Sequence, residues 1–329
     1  MEEDALGERI LLQQRGVNVD ALGAERPAAT RRRGARRPRP SDPLAASRRR
    51  VGFVFTLPVI GLVGSLLLLP IGQTIYHSFT SWDGTTSRWV GASTYSHLVH
   101  NPEFTRVLEN NAMLVLAIPV AIALPLGVAF LIHAGIRGWR FFRSIFFLPT
   151  AVSWVVIGFV SVRFFADDGI LQHLLNNTGL GFVHPNMLSQ ERSALVAVMI
   201  TFVWSMFGTN LIIFLAGMAT IDQEIYDAAR VDGAGSFAVL VKITIPLLRR
   251  FIRFTFIITL ITAFTALFSL IFVMTGGGPG YGTTTLEFFI YEQAFSAGDF
   301  GLASTAGVML FVAVAAVSVL QLRLLSVEE

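Results

Sequence analysis

The stretch QEIYDAARVDGAGSF, residues 223–237, holds three acids and an arginine between two long apolar runs. Counted as a helix from Ile221, the residues Ile225, Ala228 and Ala229 fall at i+4, i+7 and i+8, on one face. The small alanines let another surface approach closely. Asp232-Gly233 reads as a helix stop, because glycine takes the left-handed conformation at little cost. Ser236 is placed to cap a second helix running to about Thr244, and Pro246 ends that helix or starts the next apolar run. The expectation is two short helices about a sharp bend, within a loop spanning residues 219–250. From periodicity alone the loop is either a docking element or a well-formed re-entry loop with no partner.

The rest of the chain says where such a loop sits. Of 329 residues 53% are hydrophobic and 14% charged, and the mean hydropathy is +0.62. Soluble domains carry about 25% charged residues, so the deficit marks an integral membrane protein. With no cysteine, disulfides and thiolate metal sites are excluded. The six histidines are scattered along the chain, and no metal site is expected. The net charge of +3 arises mainly in one segment: residues 31–50, RRRGARRPRPSDPLAASRRR, hold nine arginines and one acid. Residues 1–50 are expected to be a disordered cytoplasmic tail, apart from a short helix near Ala5–Gln14. The arginines read as a topogenic signal or as an arm for anionic lipid or nucleic acid. The topogenic reading is preferred and no nucleic-acid partner is expected.

Six windows are long and apolar enough to cross a bilayer: Val51–Gly72, Asn111–Ala134, Ser144–Val162, Ser193–Met218, Phe254–Thr275 and Gly301–Leu322. None contains Asp, Glu, Lys or Arg. Basic residues favour the second and fourth loops (Arg137, Arg140, Arg143; Arg230, Lys242, Arg249, Arg250, Arg253), which places these loops and both termini in the cytoplasm. Pro58, Pro70, Pro119, Pro125 and Pro149 interrupt the spans. Such kinks persist where neighbouring helices satisfy the freed carbonyls, which argues for a packed bundle. The fold class is therefore all-α integral membrane, with 51–329 as one six-span domain.

Two motifs carry a family resemblance, which covers the chain from about Val51. IYDAARVDGAGSFAVLVKITIPLL (Ile225–Leu248) resembles the EAA motif of ABC importer permeases. Asp227-Ala228-Ala229, Asp232-Gly233-Ala234 and Ile243-Thr244-Ile245-Pro246 occupy its positions, with Asp227 in place of the commoner Glu. VMTGGGPGYGTTTLEFFIYEQAFSAGDFGLASTAGVML (Val273–Leu310) is similar to the sugar-permease pattern, through Thr275-Gly276-Gly277-Gly278-Pro279, Thr284, Tyr291, Ala294-Phe295 and Gly301. The subunit it resembles is the larger permease of the maltose transporter. The region Phe146–Asn176 is also similar. The resemblance implies a type I ABC importer permease fold with cytoplasmic coupling helices, in a bacterial cytoplasmic membrane. It implies a second homologous permease, two ATPase subunits and an extracytoplasmic solute-binding protein. No catalytic residue and no cofactor are expected in this chain, ATP and Mg²⁺ belonging to the ATPase. The glycine run lacks the Gly-Lys-Ser/Thr of a phosphate loop. Implied ATPase-coupling residues are Glu224, Asp227, Ala228, Ala229, Arg230, Asp232, Gly233 and Ala234. Asp227 is the expected partner of an ATPase arginine.

Substrate-pathway candidates come from hydroxyl stripes. Thr255, Thr259, Thr262, Thr265 and Ser269 share an arc of about 120° at roughly 100° per residue. Thr201, Trp204, Ser205 and Thr209 share a face of the preceding window. Trp204, Ser205, Thr209, Thr259, Thr262 and Thr265 are the chosen set, since hydroxyls bond sugar edges and an indole stacks on an apolar sugar face. Such residues equally bond their own i−4 carbonyls or join helices, and Trp154 equally packs. No base lies within a span, which favours a neutral sugar, oligosaccharide or polyol over glycerol 3-phosphate. Two alternatives remain, an ion-coupled secondary transporter and a scaffold or receptor with no transport role. The first would show an intramembrane acid or an inverted repeat, and neither is evident; the second would not need the Asp-Gly-Ala bend.

Overall fold

The computed structural model describes residues 55–135, 145–179 and 186–326. The arginine-rich tail, the helix expected near Ala5–Gln14 and the bases Arg137, Arg140 and Arg143 lie outside them. Two units divide at Val63/Gly64, and the packing below concerns the second.

Helix α1 is Phe55–His77, and no residue of its apolar stretch is buried. A hairpin follows, β1 Thr80–Trp82 and β2 Ser87–Trp89, with Thr80 opposite Trp89. Asp83 forms its turn: Oδ1 accepts from the amides of Thr85 (2.9 Å) and Thr86 (2.6 Å), and Oδ2 accepts from the Thr86 hydroxyl (2.8 Å). These bonds, the Thr86 amide first, hold the Asp83 carboxyl far below the usual carboxylate range. After α2 (Ser93–Val99) comes α3, Pro102–His133. It starts nine residues before the apolar window, where Asn101 caps it (Glu103 N to Asn101 Oδ1, 2.8 Å) and Pro102 fills the first turn.

The third window is not one helix. Pro149 sits in a 3₁₀ turn, Leu148–Ala151, and Val152 and Ser153 are extended. Ser153 then caps α4, Trp154–Phe165, accepting from Val156 N at 3.4 Å. The physical reason is Pro149, which cannot donate to the helical ladder. Next come α5 (Ile170–Asn177) and α6 (Glu191–Met218). The loop helices are α7 (Gln223–Val231) and α8 (Ser236–Leu247). The fifth window is α9 (Arg249–Thr265) and α10 (Phe268–Met274), bent by 52°. Short α11 (Leu286–Tyr291) leads to α12 (Phe300–Ser326). Among the described residues four helices are long and apolar enough to cross a membrane, or five with α9–α10 as one span.

The core lies where α3, α6 and α9 pack, through Leu114, Ile118, Phe202, Leu211, Phe214 and Leu260. One contact there explains a proline. Pro125 has no N–H for the Ala121 carbonyl four residues back. Asn210 on α6, fully buried, supplies the donor instead: Nδ2 lies 2.8 Å from Ala121 O and 3.3 Å from Thr259 Oγ1 on α9. The expected sharing of a freed carbonyl with a neighbouring helix is thus seen at Pro125. The α9–α10 bend has its own support, since Glu287 Oε2 accepts from the amides of Leu267 and Phe268, both at 2.9 Å. These are donors at the start of α10, which an unbroken helix would bond to itself.

Candidate functional site: the α7–α8 loop and the hydroxyl faces

The bend at Gly233 is a complete helix-ending motif. Gly233 has φ +73°, its amide bonds Arg230 O (3.1 Å), and the Ala234 amide bonds Ala229 O (2.9 Å). This crossed pair is the Schellman arrangement, and it requires a left-handed residue between the two helices. Three local expectations change. The buried face of α7 is Tyr226 and Ala229, while Ile225 and Ala228 are exposed and Ile221 is half-buried. Tyr226 supplies more apolar area than isoleucine or alanine and turns the helix by about one residue. Ser236 is the first residue of α8 and makes no cap; Gly235 holds the cap position. Finally, α8 passes through Thr244 to Leu247 by a π turn at Leu240–Thr244, which carries Pro246 without ending the helix.

The outward side of the loop is apolar as well as charged. Val231 is 88% exposed and Phe237 78%. Glu224, Ala228, Asp232 and Gly233 are exposed too, and Ala234 is half-buried against the core. Glu224 in the first turn and Arg230 in the last both suit the helix dipole. Asp227 is engaged within α7, accepting from Arg230 Nη1 at 2.9 Å and from Gln223 Nε2 at 3.3 Å. Both members of the ion pair are more than half exposed, and such i,i+3 pairs are worth about 0.3–0.5 kcal/mol. Such a pair opens at little cost.

The hydroxyl candidates divide. Ser205 is buried and donates to Phe202 O (2.8 Å), and Thr259 is buried against Asn210. Thr262 donates to Ile258 O and Thr265 to Ile261 O, each at 2.8 Å. Thr209 and Thr262 are half-buried, while Thr265 and Trp204 are exposed. Trp204 opens onto a cleft of about 370 Å³ between α4 and α6, which also holds Phe164, Phe165, Ser161 and Thr201. Thr201 Oγ1 lies 3.1 Å from Ser161 Oγ. Ser161, near the end of the third window, and Phe164, two residues beyond it, were not among the sequence candidates. Trp154 is half-buried and packs on the core.

The glycine run is structural. Gly276 and Gly277 have positive φ, and a Cβ on Gly277 would lie 2.6 Å from the Phe288 ring. Thr284 Oγ1 donates to Gly277 O (3.0 Å), and Asn110 on α3 donates to Tyr281 O (2.7 Å) and Thr284 O (2.9 Å). The turn therefore ties α10 and α11 to α3. Among the described residues no cluster of His, Asp or Glu could hold a metal ion.

The chain is 32% identical over 276 residues to the multiple sugar-binding transport system permease protein MsmF of Streptococcus mutans, covering 83% of this chain and 94% of that one. It is 30% identical over 298 residues to the diacetylchitobiose uptake system permease protein NgcF of Streptomyces coelicolor, covering 84% of each. In fold it resembles a chain of a bacterial ABC transporter involved in the import of the acidic polysaccharide alginate, with TM-score 0.73 and 21% identity, covering 85% of this chain and 96% of that one. Residues 89–326 match the family described as binding-protein-dependent transport system inner membrane component. The chain with its bent Gly233 loop and packed apolar helices belongs to that family, the membrane-embedded permease subunits of ABC importers, which are transport subunits and not enzymes.

Proposed function

We propose that this chain forms half of the translocation pathway of an ATP-driven importer for a neutral sugar, oligosaccharide or polyol. It crosses the membrane six times with both termini in the cytoplasm, the third crossing being α4 with the segment before it. A second homologous permease completes the pathway, two ATPase subunits sit beneath, and a solute-binding protein delivers substrate from outside. The observation that carries this reading is the α7–α8 bend. Val231 and Phe237 stand exposed beside the exchangeable Asp227–Arg230 pair. An exposed apolar pair on a rigid bend suits a cleft on another protein.

In operation the ATPase grips α7, and closure of the ATPase pair shifts it. Because α7 and α8 join α6 and α9 directly, those helices turn with it, and access alternates between the two sides. Trp204, in the cleft beside α4, offers an aromatic face to a sugar, and Thr201 and Ser161, bonded to each other behind it, could turn their hydroxyls to the substrate only if α4 and α6 part. Thr209, Thr262 and Thr265 lie further along the same pathway. Ser205 and Thr259, buried in this conformation, take part only when α6 and α9 separate.

The test is purification of the tagged protein from the membranes of the cells that make it, followed by uptake into proteoliposomes. The expected result is co-elution with an ATPase and a second permease, and uptake of a neutral oligosaccharide that requires ATP and the binding protein. Uptake driven by an ion gradient in the chain alone would overturn the proposal.

A further inference from the structure

The break between α9 and α10 carries an acid. Glu287 Oε2 accepts from the amides of Leu267 and Phe268, both at 2.9 Å, which holds the carboxylate within about one helical turn of Thr265, the exposed residue that ends α9. Glu287 is itself only half-buried, so the fixed carboxylate is still reached from outside. Aromatic rings stand beside it: Phe268 lies 6.0 Å from Phe288 and 5.0 Å from Tyr291, and the exposed Phe272 lies 5.8 Å from Tyr291. Rings screen a charge less than water does, so its field reaches further here. Tyr291 is the other titratable group of α11, and α10, packed on it, has none. The bases of α9, Arg249, Arg250 and Arg253, lie twelve or more residues before Thr265, about 18 Å along the helix. His133 and Arg323 lie at the far ends of α3 and α12. At the near end of α3, Arg106 pairs with Glu109 and Glu191, and Glu103 faces Glu292. Asp299 caps α12. Burial pushes the Glu287 carboxyl up to about 7 against the pull of the two amides, so its charge is largely present at pH 8 and largely gone at pH 6.

We propose that Glu287 is a charge filter, a carboxylate set beside the substrate at the α9–α10 bend that admits neutral or cationic sugars and turns back anionic ones. It rests on the reading of Thr265 as part of the pathway and narrows the substrate class of that pathway. The dipole of the short α10 offsets part of the charge, and the remainder acts on whatever passes Thr265. An anionic sugar meets that repulsion with no base at the bend to relieve it, whereas a neutral one offers hydroxyls that a carboxylate accepts from readily. The filter is separable from the support of the bend: glutamine keeps an acceptor for the two amides and lacks the charge.

The experiment places Thr265→Cys in this chain, which has no cysteine of its own, and purifies the full complex into lipid nanodiscs. Two membrane-impermeant thiol reagents are compared, the cationic trimethylammonioethyl methanethiosulfonate and the anionic sulfonatoethyl methanethiosulfonate, with labelling read on this chain by mass. The sulfonate is itself a small anionic solute. At pH 8 the cationic-to-anionic rate ratio should exceed that of a free thiol by about 3- to 10-fold. Adding Glu287→Gln should bring the ratio back to the free-thiol value. Lowering the pH to 6 should do the same with Glu287 present and change nothing in the glutamine background, a response that support of the bend alone would not give. If both reagents label Thr265→Cys and the ratio is the same with Glu287 and with Gln, the filter is refuted and the pathway stands. If neither reagent labels it, water does not reach Thr265, and the pathway reading there falls together with the filter.

Discussion

Asn210→Ala removes the donor that α6 lends to a carbonyl on α3. Ala121 O has no helical donor to fall back on, because residue 125 is proline. A buried carbonyl left unpaired costs about 1–3 kcal/mol. Hydrogen bonds between helices in membrane proteins average about 0.6 kcal/mol and reach about 1.7. The smaller side chain adds a cavity, so the total loss should be about 2–3 kcal/mol. The cavity term is removed by a double-mutant cycle. Pro125→Ala restores an N–H at the helical position, and in that background Asn210→Ala should lose little beyond the cavity and the Thr259 contact, both of which cancel in the cycle. The expected coupling is about 1–2 kcal/mol, read from unfolding midpoints of the purified protein titrated with SDS in mixed micelles. Losses that add to within about 0.5 kcal/mol would refute the claim that Asn210 stands in for the missing proline donor.

Gly233 should follow conformational tolerance. Asn, which accepts a left-handed backbone, should transport nearly as glycine does, Ala should cost about 1 kcal/mol in the bend, and Pro should abolish uptake; equal uptake across the series would count against the bend. Glu287→Ala leaves the Leu267 and Phe268 amides unpaired and should lower stability by about 2–4 kcal/mol, while Glu287→Gln keeps an acceptor and should cost about 1 or less; thermal unfolding that ranks the two equally would contradict the capping role. Asp83 has its carboxyl depressed below 3.8, so its stabilisation of the hairpin turn is full above that value and is lost only as pH falls below it. In a variant whose one tryptophan is Trp89, emission should be constant from pH 7 to 5, and a shift in that window would argue against the turn's hydrogen bonds.

Long uniform helices were legible because apolar length alone defines them: α6 and α12 match their windows within a few residues at each N-terminus. The Gly233 stop was legible too, since a left-handed residue after a helix has few substitutes. The 52° bend was not. Nothing between Phe254 and Thr275 marks a break, and its support, Glu287, lies some twenty residues on, beyond the glycine turn. The buried face of α7 was misread because counting small and aliphatic residues passed over Tyr226, whose ring packs inward. The hydroxyl stripe shows a further limit. Spacing places Thr259 and Thr262 on one face, but only tertiary contacts give the first to Asn210 and the second to its own helix.

The central claim is that α7 and the bend beyond it are the handle gripped by an ATPase. The chain has no cysteine, so single cysteines can be placed without a background. Val231→Cys and Phe237→Cys should cross-link to the ATPase in the assembled complex through a short bifunctional reagent, with a yield that changes on adding ATP. Cysteine at the buried Ala229 should not. If Val231→Cys and Phe237→Cys instead stay freely reactive and unlinked in a complex that contains the ATPase and transports, the handle lies elsewhere and the account is wrong.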